Sequence, residues 1–266
     1  MNNKIKEEQK FHDEWASSEQ VELIDPVATC EACTSPELRW IFKKLGSLEN
    51  KKVLDIGCGL GEVSVYFALK KAEVYSTDLS IKMLKATNEL AKKFNVNLET
   101  FQSSAEEINI SEDIKFDIIY CGNLLHHVNI EETILRIKKF LKKDGIFVSW
   151  DPYYYNPIIN VYRKIAYKVR TKDEVPLKNI DIKIIQSNFR KTELKFFWIT
   201  TLFIFLYMFI IQRKNPNKVR YWKDIIKEHK SWEKIYYPLE AVDNFLIKLF
   251  PFLKYLTWNV AMISKN

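Results

Sequence analysis

Val53-Leu54-Asp55-Ile56-Gly57-Cys58-Gly59-Leu60-Gly61 decides the fold. A short apolar run ending in glycines reads as a buried parallel strand that turns sharply into a helix. Glycines at alternate positions let the backbone turn tightly and approach a ligand closely. The helix that follows offers free N–H groups at its start. The dinucleotide fingerprint G-x-G-x-x-G, counted from Gly57, needs glycine at position 62, and Glu62 stands there. Asp55 and Glu62 would repel a pyrophosphate and suit a cationic ligand.

Working outward, strands alternate with helices. A helix is expected over about 61–71, a strand over 73–77, a helix over 81–94 and a short strand near 98–101. A further strand covers 116–120, a helix 130–141 and a fifth strand 145–150. This rhythm implies βαβ units with right-handed crossovers. Residues 1–50 read as a polar helical cap with Phe11, Trp15, Trp40, Ile41 and Leu45 as apolar anchors. Two more strands, 192–198 and 257–264, flank a segment of different character.

Composition narrows the classes. The chain has 266 residues, 47% hydrophobic and 28% charged, with a net charge of +7. That excludes a disordered chain, and four cysteines are too few for a disulfide-rich scaffold. Cys30 and Cys33 form a lone C-x-x-C without the second pair that a structural zinc site needs, so free thiols and no metal are expected. Cys58 and Cys121 fall at strand ends. The polar start, Met1 to Lys10, carries no targeting pattern, and a cytoplasmic protein is expected.

Asp55-Ile56-Gly57-Cys58-Gly59-Leu60-Gly61 resembles motif I of the class I S-adenosylmethionine-dependent methyltransferases. Further segments are similar to that family in the same order. They are Val74–Ser80 with Asp78 at a strand end, Gln102–Glu106, Phe116–Val128, and Leu141–Val148. The resemblance covers about residues 11–152 and the terminal strand pair, and lies nearest the type 11, quinone-biosynthesis-like group. It implies a Rossmann-like, doubly wound, seven-stranded α/β sheet, six strands parallel and the last antiparallel. The expected divisions are a cap over 1–50, a cofactor-binding core over 51–201, a helical insertion over 202–254 and a terminal strand over 255–266.

The resemblance also assigns roles. S-adenosylmethionine is the implied cofactor and S-adenosylhomocysteine the product. Asp55, Gly57, Cys58, Gly59 and Gly61 would meet the methionine part, and Asp78 the ribose. Leu79 and Met83 would lie under the adenine, with Ala105 and Glu106 at its edge. Cys121 and Gly122 would pass their backbone near the sulfonium. Many relatives carry Asp just before the alanine; Ser104 stands here.

The methyl group on a positive sulfur is already activated, so little catalytic machinery is expected and positioning supplies much of the rate. A base is needed only for a protonated nucleophile. His127, and after it His126, are the candidates, with packing as the alternative role. Asp151 and Tyr153, Tyr154 and Tyr155 follow the fifth strand on the substrate side. Arg163 and Arg170 could bind an anionic substrate group, or pair with Asp173 and Glu174.

Residues 202–254 hold ten Lys/Arg against five Asp/Glu, so +5 of the net +7 is local. Phe196–Ile211 is an uncharged run of 16 residues, shorter than the roughly 20 that span a bilayer. A lid helix over an apolar pocket or an interfacial helix on anionic lipid fits it, and either implies a small apolar or lipid-linked acceptor. An RNA methyltransferase and a non-catalytic binding or scaffold subunit are the alternative readings; nucleic acid is not the expected partner.

Overall fold

Residues 3–171 and 174–266 are described by the computed structural model. The chain opens with α1 (Asn3–Ser18), α2 (Pro26–Glu31) and α3 (Pro36–Leu45). Asp25 caps α2 by accepting from the amides of Val27 and Ala28, and Pro26 fills the first helical position, where no N–H is needed. The core then alternates: β1 (Lys52–Ile56), α4 (Glu62–Leu69), β2 (Glu73–Asp78), α5 (Ile81–Lys93), β3 (Glu99–Gln102), β4 (Phe116–Gly122), α6 (Ile130–Phe140) and β5 (Leu141–Pro152). Ser80 and Asn129 cap α5 and α6 through their side chains.

The remaining elements are α7 (Pro157–Ile165), α8 (Asn179–Asn188), β6 (Lys191–Phe197), α9 (Phe203–Ile210), α10 (Tyr221–Lys227), α11 (His229–Leu249) and β7 (Asn259–Lys265). The strands form one sheet in the order β3-β2-β1-β4-β5-β7-β6. Only β7 runs antiparallel to its neighbours. The seven-stranded, doubly wound arrangement expected from the sequence is the one observed.

β1 lies between β2 and β4, buried from Val53 to Ile56, which is why its sequence is a continuous apolar run around Asp55. Successive side chains face opposite sides. Val53, Tyr120, Val148 and Ala261 pack under α3, α4 and the late helices. Leu54, Cys121, Phe147 and Met262 pack under α6 and α8.

Two features depart from the expected pattern. β5 starts at Leu141, four residues earlier than Gly145, because Phe116 pairs with Leu141 while Ile118 pairs with Ile146, and the extra residues Lys142–Asp144 bulge out exposed. The apolar run contributes only eight residues to α9, since Phe196 and Phe197 belong to β6. No helix among the described residues is long and apolar enough to cross a membrane. All four cysteines are free and buried, with Cys121 in β4 and Cys58 in the loop just beyond β1.

Candidate active site

A cavity of about 1650 Å³ opens over the carboxyl ends of β1, β2, β4 and β5. This is where open α/β sheets bind ligands. It exceeds the roughly 300–1,000 Å³ typical of a single small-molecule site, so it has room for two ligands side by side.

The loop after β1 forms one wall. Gly59 has φ +57°, and a Cβ there would meet nothing within 4 Å, so its backbone faces open space. Asp55 lies just below. Its Oδ2 accepts from Ser64, while Oδ1 is buried without a hydrogen-bond partner. Burial pushes this carboxyl up to about 7 against the lowering effect of the Ser64 bond. Asp78 closes the same wall from the end of β2. Its Oδ2 accepts from the Gly59 amide at 2.9 Å and its Oδ1 from the Ser80 amide at 2.8 Å. Burial raises its pKa, opposed by those two amides.

Gly57, Cys58, Gly59, Leu79, Ala105, Glu106 and Gly122 also line the cavity, as expected. Glu106 Oε1 accepts from the Asn129 amide at 3.2 Å, which ties the loop after β3 to the start of α6. An open loop, an orphaned carboxylate oxygen and a second buried carboxylate suit a ligand with a cationic end and hydroxyl groups.

Two residues expected at the cofactor, Gly61 and Met83, do not line the cavity, and the Cys121 side chain turns from it. Gly61 (φ +86°) packs on α5, where a Cβ would fall 2.8 Å from Thr87 Cα; its role is close helix packing. Met83 is fully buried with Leu60 and Ala86, and Ala16 of α1 closes over them. Cys121 faces the α6 side of the sheet because strand side chains alternate, leaving Gly122 to reach the cavity.

The histidines stand at the opposite rim. His127 Nδ1 lies 2.8 Å from Glu8 Oε1 and 3.3 Å from Thr171 Oγ1. His126 is buried, its Nδ1 2.8 Å from Asp151 Oδ1. Burial drives the His126 pKa down and that of Asp151 up. Glu8 also bonds His12 at 3.2 Å. Burial alone would raise the Glu8 carboxyl, but the bonds with the two histidines outweigh it and hold the pKa at about 2.

Arg163 and Arg170 each lie 2.7 Å from Glu174 Oε1, so of the two roles open to them, pairing is the one observed. Asp173 lies outside the described residues. Arg170 lines the cavity, whereas Arg163 sits behind it. Tyr153 is also behind it, its hydroxyl donating to Asn179 Oδ1. His126, His127 and Glu174 bring one ligand atom each within 4.8 Å of one another, the only such trio among the described residues. The two guanidiniums on Glu174 oppose a cation there.

The sequence placed residues 1–50 as a cap over the mouth but gave no sign of the contacts that hold it there. α1 crosses the cavity and is tied at several points: Glu8 to His127, Asp13 to Ser80, and Glu19 to Lys223 at 3.3 Å. Arg220 of the α10 N-terminus sits 4.3 Å over the Trp15 ring. These partners are 60 to 200 residues apart in the chain and follow no local motif. Glu37, Trp198, Trp222 and Trp258 complete the lining and were equally invisible.

Residues 53–145 match a family model described as a methyltransferase domain. A ubiquinone biosynthesis O-methyltransferase of Bordetella parapertussis is 32% identical over 120 residues, 45% of this chain and 50% of that protein. Its namesake from Acinetobacter baumannii is 31% identical over 121 residues, 45% and 51% of the two chains. The chain thus spans about half the length of the curated relatives it matches. Among solved structures, the YcgJ protein of Bacillus subtilis superposes with a TM-score of 0.57 at 18% identity, covering 86% of this chain and 97% of that one. That is a likeness of fold.

Proposed function

We propose that this chain, whose core is a class I methyltransferase domain, moves the methyl group of S-adenosylmethionine to a small apolar or lipid-linked acceptor held in the same cavity. The observation that carries this reading is the motif I loop, open above Gly59 and flanked by the two buried carboxylates of Asp55 and Asp78.

The cofactor supplies a methyl on positively charged sulfur, ready for in-line displacement. The chain's own residues bind and orient. The Gly57–Gly59 backbone and the free Asp55 Oδ1 would take the amino-acid end, and Asp78 the ribose hydroxyls. Leu79, Ala105 and Glu106 would frame the adenine. Positioning of this kind is worth up to roughly 7–11 kcal/mol. α1 closes the mouth and excludes water. For an acceptor that must lose a proton, His127 is the base in place.

The ubiquinone relatives support an acceptor with an apolar, lipid-like body, and so does the surface of the insertion over 202–254. α9 turns Ile204, Phe205 and Met208 inward and leaves Phe203, Leu206, Phe209 and Ile210 exposed. Phe252 and Leu256 are exposed in the turn Pro251–Leu256. These exposed apolar residues, with exposed Arg213 and Lys218 following α9 in the chain, have the composition that suits the surface of an anionic membrane. On this reading the protein is cytoplasmic and membrane-peripheral.

Calorimetric titration with S-adenosylhomocysteine tests the site. Micromolar binding is expected in the wild type, weakened tenfold or more, about 1.4 kcal/mol, by Asp78→Ala and also by Asp78→Asn, which keeps the side chain's shape. Absence of wild-type binding, or variants that bind normally, would overturn the assignment.

A further inference from the structure

The cavity has a marked charge bias. Among the described residues, nine carboxylic acids and three arginines line it, with no lysine, in a chain whose net charge is +7. Asp55 and Asp78 belong to the cofactor half. Glu37 does not. It projects from the first turn of α3 over the far edge of the sheet, where β5, β7 and β6 meet.

Glu37 is 5% exposed. Its Oε1 accepts from Trp198 Nε1 and from Asn259 Nδ2, both at 2.7 Å. Both bonds go to the same oxygen, which leaves Oε2 for a ligand. Among the described residues no cation forms an ion pair with it, and Arg39 acts on it only from a distance. Arg39, on the same helix, is drawn away to Glu240 of α11 at 2.6 Å. The other titratable group facing it from α11 is Tyr236, whose phenol burial holds well above its usual value. Burial pushes the Glu37 carboxyl up to about 7, against the bonds from Asn259 and Trp198.

The surroundings are aromatic. Trp198 and Trp258 meet at a 5.9 Å centroid distance and 65°. Tyr120 and Trp150, linked by a 2.8 Å hydrogen bond, continue the lining toward Gly122. A buried carboxylate without a counter-charge is costly, and ring faces attract cations. A phenol acceptor would develop negative charge here beside a carboxylate.

We propose that the acceptor half of the cavity binds an alkylammonium group, with Glu37 as its counter-charge and Trp198, Trp258 and Tyr120 around it. This rests on the methyl-transfer reading and names its substrate class, an amine-bearing molecule, either free in solution or at the head of a lipid.

The test uses the full chain with saturating S-adenosylhomocysteine. Choline and its uncharged isostere 3,3-dimethylbutan-1-ol are titrated in parallel and read by tryptophan emission and calorimetry. Choline is expected to bind saturably and at least tenfold tighter than the alcohol, with affinity increasing as pH rises from 6 to 8 and Glu37 ionises. Glu37→Gln keeps an oxygen for Trp198 and Asn259. It is expected to weaken choline tenfold or more while S-adenosylhomocysteine affinity stays within twofold. Dodecyltrimethylammonium below its micelle concentration assigns the source: tighter than choline supports a lipid head group, equal to choline supports a free amine. Equal binding of choline and the alcohol, no binding of either, or an unaffected Glu37→Gln would overturn the proposal while the cofactor site stands. Failure of S-adenosylhomocysteine itself to bind would instead bring down the methyl-transfer reading, and this one with it.

Discussion

The sheet-forming core and the late helices treat their apolar residues in opposite ways. Among the described residues, 26 large hydrophobic side chains are exposed, and 22 of them lie between Tyr154 and Leu256. Only Leu23, Val27, Ile81 and Leu135 precede that stretch. A chain folding only for itself would bury such residues or replace them, because contiguous exposed apolar surface marks an interaction site. The core is therefore built for its own stability and for the cofactor. The late helices spend part of their apolar surface outward, toward something else.

The sharpest way to break this comparison is by stability. Phe147 is fully buried beneath Phe189, and Phe147→Ala should cost about 3–5 kcal/mol in urea unfolding. Phe209→Ser and Phe252→Ser, at 47% and 64% exposure, should each stay within about 0.5 kcal/mol. A large loss from either serine would mean that the late helices bury these rings after all.

The second contrast is functional. Wild-type protein should float with vesicles containing anionic lipid. The Phe209→Ser/Phe252→Ser pair should weaken that binding by about tenfold or more, since burying each ring in the interface is worth about 1.5–3 kcal/mol at most. Equal flotation of wild type and variant would remove the membrane from the proposal and leave α9 as a lid.

The smallest effect separates the two halves of the cavity by pH. Asp55 and Glu37 both ionise near 7, up from the usual 3.8 and 4.5. In the native state each holds a proton that the unfolded chain has released. Their stabilising contribution is full below the unfolded values and is lost as pH rises through about 7. The melting temperature should therefore fall between pH 5 and 8 more steeply in the wild type than in Asp55→Asn or Glu37→Gln. Saturating S-adenosylhomocysteine, whose ammonium would sit near Asp55, should flatten the Asp55 share and leave the Glu37 share. Parallel slopes in wild type and both variants would show that neither acid is held as described.

Much of the cofactor wall was legible in the sequence because its residues are adjacent in the chain. Gly57, Gly59 and Ala105 sit in loops that leave β1 and β3, Asp78 ends β2 between them, and the parallel strands carry them all to one edge. Position in the chain did not give the direction of every side chain there. Cys121 and Gly122 are neighbours, yet alternation sends one to the α6 face and the other to the cavity. Met83 stands where the resemblance put it in the chain, but helical phase turns it under α1. The acceptor side was not legible. Glu8 reaches His127 across 119 residues, and Glu37 reaches Asn259 across 222. Arg163, Arg170 and Glu174 were visible as a cluster, but whether the arginines would face a ligand or one another depended on distances that no spacing encodes.

By itself the sequence determined the alternating strands and helices, the glycine turn above β1 and the acids beside it, because hydrophobic period and glycine placement act locally. Tertiary structure alone decided which carboxylate stands without a counter-charge, which histidine is locked to an acid, and which apolar rings are left uncovered. Those are properties of pairs and surfaces, and a pair exists only once the chain has brought its members together.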